Sequence, residues 1–371
     1  MSGSRQRLHS EIYIGLMSGT SLDGIDAALV DFRGRPRLLG TLFAPYPRRL
    51  KAALLALQVP SRNELHRASL VGIRLSILYA GVVNRLLQRS GVGSYRVRAI
   101  GCHGQTVRHA PGFRYTMQLG SPAVLAERAG IPVVADFRSA DIAVGGQGAP
   151  LVPAFHAAVF RNARVHRVIV NLGGIANLTD LPRRGPVTGF DTGPGNILLD
   201  AWVRYRLGRD FDRSGAIASR GQPLESLLDD LLADSYFRRP PPKSTGRDHF
   251  NLAWLRRFAV ARRRTEDVQA TLSELSARTI GRAIARFCPG AREVYLCGGG
   301  ARNSDLVRRI TRALPDGTAV ASTAKLGIHP DWVEAIAFAW LAQRRLRNET
   351  GSLPEVTGAE KARVLGAIYA A

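Results

Sequence analysis

The stretch IYIGLMSGTSLDGIDAALVDF at 12–32 decides the fold of the chain. It reads as an apolar strand, a tight polar turn at 18–24 and a second apolar strand. Gly19 and Gly24 bracket the turn, where positive φ or close backbone approach costs least. The turn carries the hydroxyls of Ser18, Thr20 and Ser21 and the carboxylate of Asp23, with Asp26 two residues beyond its end. Free N–H and O–H groups at such a tip suit a phosphate, and the carboxylates suit Mg²⁺, directly or through water. An ordinary hairpin held by local Asp and Ser turn bonds has the same local pattern. The turn alone leaves both readings open.

Further along, the pattern begins again. Residues 167–172 form an apolar strand that runs into Gly173-Gly174-Ile175-Ala176-Asn177 and another strand. Each half then carries a long amphipathic helix. In the first it spans 63–89, with Ala68, Val71, Leu75, Leu78, Val82 and Leu86 at helical spacing; in the second the stripe is Leu272, Leu275, Thr279, Ala283 and Phe287. Each helix is followed by a strand ending in glycine or polar residues, at 96–100 before Gly101 and at 293–296 before Cys297-Gly298-Gly299-Gly300. Further strands are expected at 38–43 and 131–136. A duplicated βββαβα unit, with ligands at the strand carboxyl ends in a cleft between the copies, is the economical α/β reading. It places a first domain at 1–163 and a second at 164–350. Residues 351–371 are a terminal segment packing back on the first domain.

Composition narrows the class. The chain has 371 residues, 45% hydrophobic, with 38 Gly and 20 Pro, as expected for a globular protein of two ordinary domains. No run of about 18 apolar residues occurs, so no membrane partner is expected, and the N-terminus lacks the apolar core of a secretory signal. Cys102, Cys288 and Cys297 form no C-x-x-C pair, which points to a reducing cytoplasm. The net charge of +23 invites a polyanion. Yet the arginines are spread along the chain with no nucleic-acid-binding motif, so specific nucleic-acid binding is not expected.

Several segments can carry chemistry. In FDTGPGN at 190–196, Asp191 stands at a strand end before a Gly-Pro-Gly break and a helix start. A carboxylate there can act as general base beside free N–H groups, or simply cap the turn. Gly298, Gly299 and Gly300 offer a flat backbone for a purine or phosphate; no P-loop pattern exists anywhere in the chain. His103, Gln105, Asp136 and Arg138 follow strands and suit sugar hydroxyls and amides. The two histidines His103 and His109 are too isolated to be read as metal ligands. Asp331 and Glu334 have capping-box spacing at the start of a helix over 335–346. Lys243-Ser244-Thr245-Gly246-Arg247 reads as a loop with phosphate-friendly groups.

With these blocks together, the chain resembles the anhydro-N-acetylmuramic acid kinases of the sugar kinase/Hsp70/actin superfamily. The resemblance is carried by GLMSGTSLDGID at 15–26, GCHGQTVRH at 101–109, ADFRSADIAVGGQGAPLVPAFH at 135–156 and NLGGIANLT at 171–179. FDTGPGN at 190–196, STGRD at 244–248, LCGGGARN at 296–303 and EAIAFAWLA at 334–342 continue it. It implies a duplicated RNase H-like, two-domain α/β architecture with an interdomain cleft. It implies an enzyme that uses ATP and Mg²⁺ to open the ring of 1,6-anhydro-N-acetylmuramic acid with water and phosphorylate O6, in cell-wall recycling, and a homodimer. Gly19, Thr20, Ser21, Leu22, Asp23, Gly24, Ile25 and Asp26 match the family's ATP-binding segment, Asp191 its catalytic aspartate, and Glu334 a glutamate near the reacting centre. The protein ligands of Mg²⁺ stay unassigned. Asp248 departs from the Glu common at its place, and 38–96 match by pattern only.

Overall fold

The computed structural model describes residues 10–19 and 22–371. The chain divides into two compact units, one of residues 1–155 with 332–371 and the other of residues 156–331. In the first, β1 (Ile12–Met17), β2 (Gly24–Asp31) and β3 (Arg37–Pro45) form an antiparallel meander. β4 (Val97–Cys102) joins β1 in parallel, and β7 (Val133–Ala135) joins β4 in parallel. In the second, β8 (Arg167–Leu172), β9 (Ile175–Leu181) and β10 (Thr188–Pro194) repeat the meander, with β11 (Glu293–Cys297) and β12 (Ala319–Ser322) added in parallel. The strand orders β7-β4-β1-β2-β3 and β12-β11-β8-β9-β10 are the same topology twice. The duplication legible in the residues is therefore a duplication of sheets. A hairpin the sequence did not reveal, β5 (Gln105–Ala110) with β6 (Tyr115–Leu119), is inserted in the first copy.

Alternation along β1 explains its packing. Ile12, Ile14 and Leu16 enter the core beneath the helix Glu64–Ser90, together with Val71, Leu75, Val82 and Leu86. That helix is long and apolar enough to span a membrane by composition, yet 56% of its most apolar window is buried inside the unit, so it serves as a core helix. On the opposite pleat, Gly15 lies under the helix Val333–Leu346: a Cβ at Gly15 would sit 1.7 Å from the Ala335 carbonyl oxygen. A Cβ at Gly101 on β4 would sit 2.0 Å from the Phe338 carbonyl oxygen. Only glycine admits a helix backbone this close to the sheet.

This packing changes the expected division of the chain. Residues 333–346, assigned from the sequence to the second domain, lie against β1 and β4 of the first unit. The boundary falls at 155/156, inside the helix Val152–Phe160, rather than at 163/164. The C-terminal strand Ala367–Tyr369 pairs antiparallel with β7. In the second unit, Val168, Val170 and Leu172 pack against Ile280 and Ile284 of the helix Thr265–Phe287 and against Leu306 and Ile310 of the helix Ser304–Ala313. A separate cluster around Trp202, Leu228, Tyr236 and Phe250 holds the helical segment inserted between 197 and 265.

Candidate active site

In the first unit the parallel strands deliver their polar ends to one edge of the sheet: Ser18 and Gly19 after β1, His103 after β4, Asp136 after β7. The turn after β1 is braced from below. Ser18 Oγ donates to the Gly104 carbonyl at 2.9 Å and lies 2.6 Å from the Tyr79 hydroxyl, which therefore donates to it. Gln105 is fully buried; its amide oxygen accepts from Tyr46 at 3.0 Å and its amide nitrogen donates to the Gly19 carbonyl at 3.2 Å. Gln105, expected as a sugar contact, has both ends of its amide engaged inside the protein, where it braces the turn. Burial pushes the Tyr46 phenol up to about 12, so it stays a neutral donor.

The turn itself differs from its sequence reading. Among the described residues of the turn, Leu22 is left-handed, with φ 58°, and its side chain is buried, as is that of Ile25. Gly24 belongs to β2, where a Cβ would meet the Ala44 carbonyl oxygen at 2.3 Å. Asp23 is exposed and pairs with Lys51 at 3.5 Å, and Asp26 lies across from Met17 in the ladder. Thr20 and Ser21 lie outside the described residues.

Buried His103 pairs with half-buried Arg138. Arg138 donates from Nε at 3.2 Å and from a terminal nitrogen at 2.8 Å to His103 Nε2, and His103 Nδ1 lies 2.7 Å from the Gly104 carbonyl. These partners fix the proton on Nδ1. Burial, and then the Arg138 charge, push the imidazole down to about 3, so it is neutral. Asp136 adopts φ 57°, rare for a residue with a side chain, and accepts from the Ser139 hydroxyl at 2.6 Å. His103, Asp136 and Ser139, with Thr116, Gln118 and Gly120, line a cavity of about 270 Å³. Glu334 lies in the first turn of helix 333–346, and its charge acts on Arg138. The capping box is not formed: Trp332 occupies the cap without a side-chain bond, and Asp331 pairs with Arg302 instead.

In the second unit, one rung across the sheet aligns Asp191 on β10, Asn177 on β9, Asn171 on β8 and Cys297 on β11. β10 continues through Pro194, so Asp191 is inside a strand rather than at its end, and a bulge at Thr192 separates it from Gly193. The helix start beyond it is also not an open anion pocket. The N–H groups of Gly195, Asn196 and Ile197 donate to the carbonyls of Gly173 and Gly174. Asp191 is half-buried and accepts from the Thr245 N–H at 3.0 Å. Burial raises its carboxyl to about 7, against the opposing pull of that N–H and of Lys243. Lys243 is itself buried, with Nζ 4.8 Å from the Tyr236 ring centroid, and the Thr245 hydroxyl is buried without a partner. The sequence marks Lys243 and Thr245 only as loop groups suited to phosphate and gives Asn177 no role of its own; strand register and loop closure bring them to Asp191. Gly298 (φ 78°) and Gly300 press on Asn171, Leu172 and Asn196, whereas a Cβ at Gly299 would meet nothing within 4 Å. Of the three glycines, Gly299 is the one that presents open backbone.

Residues 11–371 match the sequence pattern of the anhydro-N-acetylmuramic acid kinase family. This chain belongs to the anhydro-N-acetylmuramic acid kinase family. Relatives of that name include one from Nitrosospira multiformis, 53% identical over 362 residues that cover 97% of this chain and 99% of that one. Another, from Thiobacillus denitrificans, is 53% identical over 367 residues, covering 98% of each. Among solved structures, the (R)-2-hydroxyglutaryl-CoA dehydratase component A of Acidaminococcus fermentans matches with a TM-score of 0.49 and 10% identity, over 89% of this chain and 96% of that one. The family match spans both copies of the duplicated sheet, and with them every residue of the candidate site.

Proposed function

We infer that this member of the anhydro-N-acetylmuramic acid kinase family is an ATP-dependent phosphotransferase acting on 1,6-anhydro-N-acetylmuramic acid. It opens the anhydro ring with water and phosphorylates O6, giving N-acetylmuramate 6-phosphate in cell-wall recycling. The observation that carries the chemistry is Asp191: a carboxyl titrating near neutrality, oriented by one backbone N–H and set on a strand bulge. A base poised near the working pH balances ionised fraction against basicity. Asp191 takes a proton from the water that attacks C1. The C1–O6 bond breaks with its electron pair moving to O6, and O6 attacks the γ-phosphorus of ATP as ADP departs. Sugar, water and ATP thus give the sugar phosphate, ADP and one proton.

The first unit supplies the sugar side in this reading. Arg138, held by His103 and by the Gly148 carbonyl, keeps further N–H groups for an acceptor on the sugar, and Asp136 faces the adjoining cavity. Glu334 adds a carboxylate near Arg138. The polar turn at 18–26 and Gly298 to Gly300 take the nucleotide. Among the described residues no three His, Cys, Asp or Glu side chains gather as a metal cage. That fits Mg²⁺ bound mostly through phosphate oxygens and water with one or two carboxylates, Asp26 being the candidate; bound so, the ion would neutralise phosphate charge. The three cysteines are free and buried, which supports a cytoplasmic setting, and a homodimer is part of the same proposal.

The test is a coupled assay for ADP with ATP, Mg²⁺ and the anhydro sugar. ADP release that depends on the sugar, with a sugar phosphate formed in equal amount, is expected. Vigorous sugar-independent ATP hydrolysis with no sugar phosphate would favour a nucleotide switch instead.

A further inference from the structure

Behind the Gly148 carbonyl that holds Arg138 lies a set of contacts the mechanism does not use. A terminal nitrogen of Arg138 donates to that carbonyl at 2.6 Å, and Gly148 closes a loop that folds over Asp141. Asp141 is fully buried. One carboxylate oxygen accepts from the Gly148 N–H at 2.8 Å, and the other accepts from the Thr357 hydroxyl, also at 2.8 Å. Thr357 is buried and lies in a short turn of helix, Pro354–Thr357, more than two hundred residues away in the chain. The backbone repeats the link: the Gln147 N–H donates to the Thr357 carbonyl at 2.8 Å, and the Glu360 N–H donates to the Val144 carbonyl at 2.9 Å. A Cβ at Gly146 would strike the Asp141 carboxylate at 2.2 Å, so the loop is fitted closely around that group.

We propose that Asp141 and Thr357 are positioning residues through which the C-terminal segment sets Arg138 on His103, and so sets the sugar-binding guanidinium. The proposal rests on the functional reading above for the sugar's identity. The geometry of the brace stands apart from it. The chain of contacts runs from the Thr357 hydroxyl to the Asp141 carboxylate, to Gly148, to Arg138 and to His103 Nε2. Each joint is a hydrogen bond to a charged group or to a backbone group fixed by one, the stronger class of such bonds. A loop residue alone would leave the guanidinium with one anchor, His103. The second anchor, on Gly148, turns a flexible side chain into a fixed fork. Fixing the fork in advance lowers the cost of binding through its remaining N–H groups. Glu334 and, after it, Asp141 also lower the cost of burying the Arg138 charge, since their charges favour the charged form.

Two readouts on the full chain test this. Thr357→Val keeps the shape and removes the donor to Asp141, whereas Thr357→Ser keeps the donor. In the Val variant the KM for the anhydro sugar should rise about tenfold, with kcat and the KM for ATP within about twofold of the parent, and the Ser variant should restore it. Nitrogen-15 NMR of the imidazoles should show His103 as the Nδ1–H tautomer with Nε2 accepting a bond in the parent, and a shift of both signals in Thr357→Val. Asp141→Asn should move both readouts the same way, and it serves should the Val variant not fold. Unchanged His103 signals with an unchanged sugar KM in a folded Val variant would overturn the brace. A parent protein without sugar-dependent activity would indict the functional reading instead, and the His103 signals would still decide the brace.

Discussion

Replacing Asp191 by Asn separates catalysis from stability in opposite directions. The carboxyl titrates near 7 in the folded chain against an ordinary value of 3.8. Below about pH 4 the folded and unfolded carboxyls are both protonated, and the group has no pH-linked effect. Between about pH 4 and pH 7 the unfolded chain ionises while the folded one holds its proton, so the native protein loses stability as pH rises. Above pH 7 the loss is complete, at about 4 kcal/mol. Solvent reaches the half-buried carboxyl and screens part of that figure, leaving roughly 2 kcal/mol. An amide carries no such burden and can still accept the Thr245 N–H. Asp191→Asn should therefore melt at the same temperature as the parent at pH 4 and several degrees higher at pH 8. Turnover should fall about 10²–10⁴-fold, as for loss of a general base. Thermal melts at the two pH values and initial rates on the same preparations make the comparison. A variant that is destabilised at pH 8 and keeps near-normal turnover would refute both the environment assigned to Asp191 and its role.

Other outcomes follow from the same geometry. The pH profile of kcat/KM in the parent should rise through a midpoint near 7 as Asp191 loses its proton; a profile already flat by pH 5 would contradict the buried carboxyl. Gly101→Ala should destabilise the first unit by about 1–3 kcal/mol, read from denaturant unfolding, because its Cβ must displace the Phe338 carbonyl and the helix that carries Glu334. Tyr79→Phe should cost about 1 kcal/mol by the same measurement, since it removes the hydroxyl that donates to buried Ser18. If the arginine excess is compositional, binding to a random DNA duplex should vanish by about 0.2 M salt in a titration followed by anisotropy.

The duplication was legible because it rests on local pattern: period-two apolar strands, period-3.6 helices and glycines between them. What escaped the sequence were the placements that depend on tertiary contacts. Gly15 and Gly101 belong to blocks that carry the resemblance, yet nothing local says that a helix more than two hundred residues away presses on them. For the same reason helix 333–346 was assigned to the wrong unit. The Asp331–Glu334 spacing matched a capping box, but Arg302 drew Asp331 away. The Gly-Pro-Gly break singles out Asp191 in the sequence, although the N–H groups expected to be free there are spent on Gly173 and Gly174. Its actual partner, Thr245, arrives from a loop with no spacing rule to announce it. Gln105 shows the converse: a polar residue in a polar block whose pattern says nothing of its burial is fully buried in the fold.

Mass spectrometry of the product formed in H₂¹⁸O tests the central claim most directly. If water, activated by Asp191, opens the ring before O6 takes the phosphoryl group, one ¹⁸O enters each molecule at C1 and none enters the phosphate. Label in the phosphate, or a phosphorylated sugar whose anhydro ring is intact, would contradict the account.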